Sequence, residues 1–323
     1  MSNIYSVYQN LVGKYPTEPN AYFFSDIPDV KGHKLGITSK GFPIFFIKGD
    51  TNDNSNYQSY DLGIAVDFNQ DCRITDNNKK ISGKFTLVTL QERLQNLLPY
   101  FLDIVLIVVK SIPPNSPTKI IKSEIEKLIV LFSSLLESGS GDIQGLWAEL
   151  LIVEQSKKPD VLITSWHISA DDLIDFNNGA DKIEVKSTKR QDRIHTFSLN
   201  QLVPNKSSKQ IIASVIVIRT GTGKSIFDLI DSIAKKLKNK QLLLTIGNVV
   251  SKTLGNKMDE AKDVFFDYNS ACDSVAFFDV NDIPKLDSKK IPAEITNIHF
   301  DCNLNKIQEV NTSSFKSQLF NAL

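Results

Sequence analysis

Between residues 20 and 95 the apolar positions fall in short runs, KLGITS, FPIFFIKGD, LGIAVDF and KFTLVTL, which alternate or run continuously and predict short β-strands. The polar connections KGDTNDNSN and DFNQDCRITDNNKKISG are rich in Asn and Asp, as turns require. The pattern describes an antiparallel, β-rich module. It then shifts to helical spacing in LQERLQNLLPYFLDIVLIVVKSI, where Pro99 marks a break or restart. PPNSPT (113–118) ends that unit. A second helix, IIKSEIEKLIVLFSSLLE, closes at SGSGD (138–142).

After residue 141 the pattern changes again. DIQGLWAELLIVEQSKK predicts a helix with Asp142 as its N-cap. DVLITSW reads as a short strand, and DDLIDF leads through an NNG turn into DKIEVKST as a hairpin. SLNQL begins a helix with Ser198 and Gln201 at capping-box spacing. QIIASVIVIR (210–219) is nearly all apolar and β-branched, which predicts a strand buried on both faces. SIFDLIDSIAKKLKNK is an amphipathic helix with its basic residues last. The stretch DSVAFFDVNDIPKLDSKKIPAEITNIHFDCNL returns to strands with Pro-marked turns. Three parts are expected: a β-rich α+β module (1–112), a helical connector (113–140), and a three-layer α/β domain with a C-terminal strand extension (141–323).

Composition narrows the class. With 41% hydrophobic and 23% charged residues, the chain is neither disordered, collagen-like nor a coiled coil. Lys+Arg and Asp+Glu both number 37, so a chain-wide polycation is excluded while a local basic surface is not. Cys72, Cys272 and Cys302 form no C-x-x-C, and His33, His167, His195 and His299 are scattered, so no zinc cluster is legible. The N-terminus lacks a signal-peptide pattern. The longest apolar run, LPYFLDIVLIVV, has 12 residues and contains Asp103, too short for a bilayer. A cytoplasmic protein without a membrane span is expected.

Chemistry concentrates in LIDFNNGADKIEVKST (173–188). Glu184 and Lys186, two apart on a strand, project from one face, and the hairpin can bring Asp175 beside Glu184. Adjacent carboxylates repel unless a cation neutralises them, and hard oxygen ligands suit Mg²⁺. A lysine beside that cation would orient or deprotonate a water and offset charge on a phosphate. The bland account is a surface hairpin with a cross-strand salt bridge. Glu149 shares an apolar helix face with Leu146, Leu150 and Val153, so it needs a partner: a metal site or a buried ion pair. A capping box explains Ser198 and Gln201; alternatively, the helix N-terminus and Gln201 approach a phosphate or a bound water. His195 is either structural or touches the substrate backbone or moves a proton.

Between residues 182 and 209 stand seven basic residues (Lys182, Lys186, Lys189, Arg190, Arg193, Lys206, Lys209) against Glu184 and Asp192, an excess that suits a DNA backbone or a solvated loop face. RTGTGKS (219–225) has Ile218 where a phosphate-binding loop requires glycine, so nucleotide binding is set aside.

An Asp at one strand end followed by Glu-x-Lys on the next resembles the PD-(D/E)XK nuclease superfamily. QGLWAEL (144–150), Trp166, IDF (174–176), IEVKST (183–188) and HTFSLNQL (195–202) look like a bacterial PD-(D/E)XK-motif family found among restriction–modification and phage-defence genes. The likeness continues through VNDIPKLDSKKIPAEITNIHF. Ala148 stands where that family more often has Gly, and Asp171 and Asp172 compete with Asp175. The resemblance implies a restriction-endonuclease-like core, a mixed central sheet flanked by helices. It implies a Mg²⁺-dependent DNA endonuclease, Mn²⁺ substituting, with the metal held by Asp175, Glu184 and Glu149. Lys186 would attend the water, while Gln201, His195, Ser198, Lys189, Arg190 and Arg193 would meet the substrate. It further implies a methyltransferase or ATPase encoded nearby, and a homodimer would let both strands be cut. The alternative is a non-catalytic DNA-binding or scaffold subunit of a defence system.

Overall fold

The computed structural model describes residues 3–14, 22–55, 57–76, 79–135, 142–166, 173–202, 208–287, 290–292 and 294–323. They form two units, Met1–Ser138 and Gly139–Leu323. In the first, α1 (Asn3–Leu11) precedes β1 (Phe23–Asp26), β2 (Lys34–Ile37), β3 (Pro43–Lys48), β4 (Tyr60–Leu62), β5 (Ile64–Asp76) and β6 (Lys79–Leu90). These strands make one antiparallel sheet in the order β1-β2-β3-β6-β5-β4. A 3-10 turn, Glu92–Leu97, leads into α2 (Leu98–Ser111) with Pro99 in its first turn, where a missing N–H is harmless. α3 (Thr118–Ser134) follows and packs with α2 on the sheet: the Phe101 ring lies 5.8 Å from Phe45 and 5.6 Å from Phe132. The helix of the expected connector thus belongs to this unit's core.

In the second unit, α4 (Ile143–Gln155) starts where the Asp142 carboxylate accepts the Gly145 N–H at 2.8 Å. The stretch expected as the strand DVLITSW is instead helix, α5 (Pro159–Ser165). Pro159 fits its first turn, and the Thr164 and Ser165 hydroxyls donate back to the Asp160 and Val161 carbonyls. Next come β7 (Phe176–Asn177), β8 (Asp181–Thr188) and β9 (Ile194–Ser198). The helix expected at SLNQL is a 3-10 turn, Leu199–Leu202, among the described residues. β10 (Lys209–Ile216), β11 (Arg219–Thr220), α6 (Ile226–Lys236), α7 (Leu242–Leu254), β12 (Phe265–Phe266), α8 (Tyr268–Ser274), β13 (Ala276–Asp279) and β14 (His299–Asn303) complete the α/β unit.

Its central sheet is mixed, in the order β13-β10-β8-β7, with β8 and β10 parallel. β10 is buried from Ile211 through Ile216, as its β-branched run requires. α4 packs on β8 and α6, and α8 on β10. β9 pairs antiparallel with β14, a hundred positions later, setting Ser198 opposite His299. Phe197, Leu202, Ile212, Phe278 and Leu304 join this ribbon and the sheet in one buried cluster. No helix among the described residues is long and apolar enough to cross a membrane.

Candidate active site

β8 alternates, so Glu184 and Lys186 share a face, and their side chains form an ion pair of 2.9 Å. Gln201 closes that pair into a triangle. Its amide donates to Glu184 Oε1 at 2.6 Å, and its Oε1 accepts from Lys186 Nζ at 3.1 Å and from the Ser198 N–H at 3.0 Å. Half of the expected capping box is therefore present, as an accessory to Gln201's contact with the acid–base pair. The reciprocal half is missing: Ser198 Oγ is buried without a partner.

Asp175 ends the segment before β7, a strand of only two residues. Beyond Ile183, β8 has no β7 partner, and there Asp175 Oδ2 accepts the Val185 N–H at 2.6 Å. This holds the carboxylate at the peptide between Glu184 and Lys186. Glu149 projects from α4, and its Oε2 accepts the indole N–H of Trp166 at 2.7 Å. Trp166 stacks on Phe176, the residue after Asp175, with ring centroids 5.8 Å apart. One indole thus links the helix carrying Glu149 to the strand that follows Asp175.

Electrostatics bind these carboxylates into one set. Burial raises Asp175 well above the ordinary carboxyl range, and the charges of Glu184 and Glu149 raise it further. Burial pushes Glu149 up to about 8, against the Trp166 hydrogen bond, which lowers it; Glu184 and Asp142 add to the rise. Glu184, itself 3% exposed, is raised by burial and drawn back by Lys186. Among the described residues no group of three or more His, Cys, Asp or Glu side chains is placed to hold a metal ion. One oxygen of each acid is already engaged, by Trp166, by Val185, or by Lys186 and Gln201. Yet Glu184 Oε2 is buried and completes no hydrogen bond, although the Asp175 backbone helps lower the carboxyl's pKa. An orphaned carboxylate oxygen amid mutually repelling acids is what a hard divalent cation relieves, so the chemistry of these donors, though not their present spacing, fits such an ion.

The remaining candidates divide. His195 is buried, its Nε2 is 2.8 Å from Ser214 Oγ, and burial with the charges of Lys186 and Arg193 lowers its pKa to about 4. It is a neutral, inward-facing imidazole. Arg193 donates to Ser214 O at 3.2 Å, to Ser214 Oγ at 2.9 Å and to the Ser274 carbonyl. Arg190 pairs with Asp192 at 2.9 Å, whereas Lys189 is exposed. Lys206, Asp171, Asp172 and His167 lie outside the described residues. Trp166 entered the sequence pattern only as an aromatic, and its bond to Glu149 has no local signature.

RTGTGKS is a structural brace. Lys224 O accepts the Trp147 indole N–H at 2.9 Å, the Lys224 and Phe266 backbones exchange two 3.1 Å hydrogen bonds, and Lys224 Nζ sits 3.3 Å from the Tyr268 ring centre. A cleft of about 620 Å³ opens where Lys186 and Gln201 reach the surface.

Compared with known families, residues 35–305 match a model described as "Putative PD-(D/E)XK family member, (DUF4420)". Neither the curated proteins nor the solved structures returned a match.

Proposed function

From the premise that the chain belongs to this PD-(D/E)XK family, whose α/β fold it has, we propose that it is a metal-dependent DNA endonuclease whose active site is Asp175, Glu184 and Lys186 with Glu149. The observation that carries the reading is the orphaned Glu184 Oε2 beside Asp175, with Lys186 bonded to the opposite oxygen of the same carboxylate. A cation explains that arrangement; a solvated surface salt bridge would leave neither acid raised.

Asp175, Glu184 and Glu149 would hold Mg²⁺, or Mn²⁺ in its place, which supplies a Lewis acid for the phosphate and a more acidic water. The chain's own groups supply the rest. Lys186 carries a positive charge 2.9 Å from Glu184, where it can accompany the attacking water and offset charge on the phosphate. Gln201 fixes the Lys186 and Glu184 side chains to one another and so limits their rotamers. Trp166 holds Glu149 by one oxygen and leaves the other for the ion. Lys189 is available to a phosphate of the strand backbone.

The family resemblance supports a place in restriction or phage defence, in a cytoplasmic protein working beside a methyltransferase or an ATPase, and a homodimer would present two sites to a duplex. The test is plasmid nicking and linearisation by wild type and Lys186→Ala with Mg²⁺, Mn²⁺ or EDTA. Metal-dependent cutting that disappears in the variant supports the nuclease and its site together. No cutting of modified or unmodified DNA would return the chain to a binding or scaffold subunit.

A further inference from the structure

The cleft beside Lys186 has an unusual lining for a surface expected to meet a polyanion. Its lysine is Lys186, and none of its described lining residues is an acid, although Thr196 in its wall donates to the Asp301 carboxylate at 2.6 Å. One wall is β9 with the 3-10 turn that follows, presenting Thr196, Ser198 and Asn200. The other is the loop 295–299, carrying Ile295, Asn297 and His299. The Leu199 N–H donates to Ile298 O at 3.0 Å and β14 pairs with β9, so both walls are built on one ribbon. Asn297 takes a left-handed φ of +57°, which asparagine tolerates, and its carbonyl lies 3.0 Å from His299 Nδ1. Leu173, two residues before Asp175, and Ile295 both line the cleft, each with 54% of its surface exposed.

Three features point to one ligand chemistry. Neutral amides (Asn200, Asn297) beside bare aliphatic side chains match a nucleobase, with hydrogen-bonding edges and apolar faces, better than a phosphate. Ser198 Oγ, in the wall, is buried with no protein partner. Lys186 and Gln201 both line the cleft and bond Glu184, so a strand with its phosphate at the acidic trio brings the adjoining nucleoside to the cleft. Concave space of about 620 Å³ admits one nucleotide but no duplex.

We propose that this cleft binds a single nucleobase turned out of its stack next to the scissile phosphate, so that the substrate is a nucleic acid with an unpaired or readily extruded base. The inference rests on the nuclease reading for the position of that phosphate. It assigns the substrate class: single strands, mismatches or branch points over uninterrupted duplex.

The test uses the full chain in EDTA with oligonucleotides carrying 2-aminopurine, as single strand, perfect duplex and mismatch, alongside a Leu173→Ser/Ile295→Ser variant. The expected order of affinity is single strand and mismatch above duplex. On binding, the mismatched probe should change fluorescence at one position, and the double variant should bind roughly tenfold more weakly. Melting curves confirm that the variant is folded; if it is not, Ile295→Ser alone replaces it. Equal or tighter binding of perfect duplex, no binding, no fluorescence change, or a folded variant indistinguishable from wild type would each overturn the base pocket. A protein that shows the fluorescence change yet cuts nothing with any metal keeps the pocket and loses the nuclease.

Discussion

The indole N–H of Trp166 donates to Glu149 Oε2 at 2.7 Å, joining two side chains 17 positions apart, on α5's end and on α4. The bond fixes one carboxylate oxygen and with it the orientation of the whole carboxyl group. Trp166→Phe keeps a ring to stack on Phe176 and removes only the donor. Metal affinity, measured by calorimetry with Mn²⁺, should fall roughly tenfold to a hundredfold, as when outer partners of metal ligands are lost. Since the bond lowers the Glu149 pKa and a metal-holding carboxylate must be ionised, its removal should move the rising, acidic limb of the pH–rate profile upward.

Metal-free protein should lose stability as pH rises. Glu149 in the folded chain holds its proton up to about 8, above its ordinary 4.5, and Asp175 and Glu184 are raised as well. In that window the folded state binds more protons than the unfolded chain, so the slope of stability against pH is negative. The melting temperature in EDTA should therefore fall between about pH 4.5 and 8. Mg²⁺ should restore it most at the alkaline end, and Glu149→Gln should flatten the curve. A melting temperature that rises across this range in EDTA would contradict the raised carboxylates.

Glu184→Gln should reduce cleavage at least about a hundredfold while leaving the fold intact, because the amide fits the same space and removes the charge a cation needs. Cleavage measured beside near-ultraviolet circular dichroism separates lost chemistry from lost structure.

Two basic residues of one segment should behave in opposite ways. Arg193→Ala deletes three hydrogen bonds to Ser214 and Ser274 and should destabilise the protein by about 1–3 kcal/mol in a urea titration. Lys189→Ala should leave the urea midpoint unchanged and lower the salt dependence of DNA binding by about one unit of slope.

Gly223 has φ +140°, and a β-carbon there would lie 2.2 Å from the Phe266 carbonyl oxygen. Gly223→Ala should cost about 1–3 kcal/mol of stability, read in the same titration. Fluorescent ATP or GTP analogues should bind neither wild type nor Lys224→Ala.

The local patterns were legible from the sequence wherever neighbours in the chain decide the structure. The period-two alternation of DKIEVKST put Glu184 and Lys186 on one face, Asp142 announced its helix, and the β-branched run of β10 announced its burial. DVLITSW misled because Val, Leu, Ile and Thr in succession favour a strand, while Pro159 and the hydroxyls of Thr164 and Ser165 settle it as helix. Long-range contacts left no such mark. That Gln201 would do more than cap, that Arg193 would turn inward to Ser214, and that the loop 295–299 would wall a cleft beside Lys186 all depend on strands meeting across the fold. Charge counting treated Lys189 and Arg193 alike for the same reason.

Asp175 stands where the sheet runs out of strand, its carboxylate taking the Val185 N–H that a longer β7 would have taken. The turn between them is closed by Asn177 and Asn178, whose side chains accept the N–H groups of Gly179, Ala180 and Asp181, and Gly179 sits at φ +87°. Adding or deleting one residue in that turn would slide Asp175 past Val185 while leaving the hairpin able to form. If Asp175 serves the proposed site, loop-length variation, which surface turns ordinarily absorb without penalty, should cost activity at this turn rather than folding.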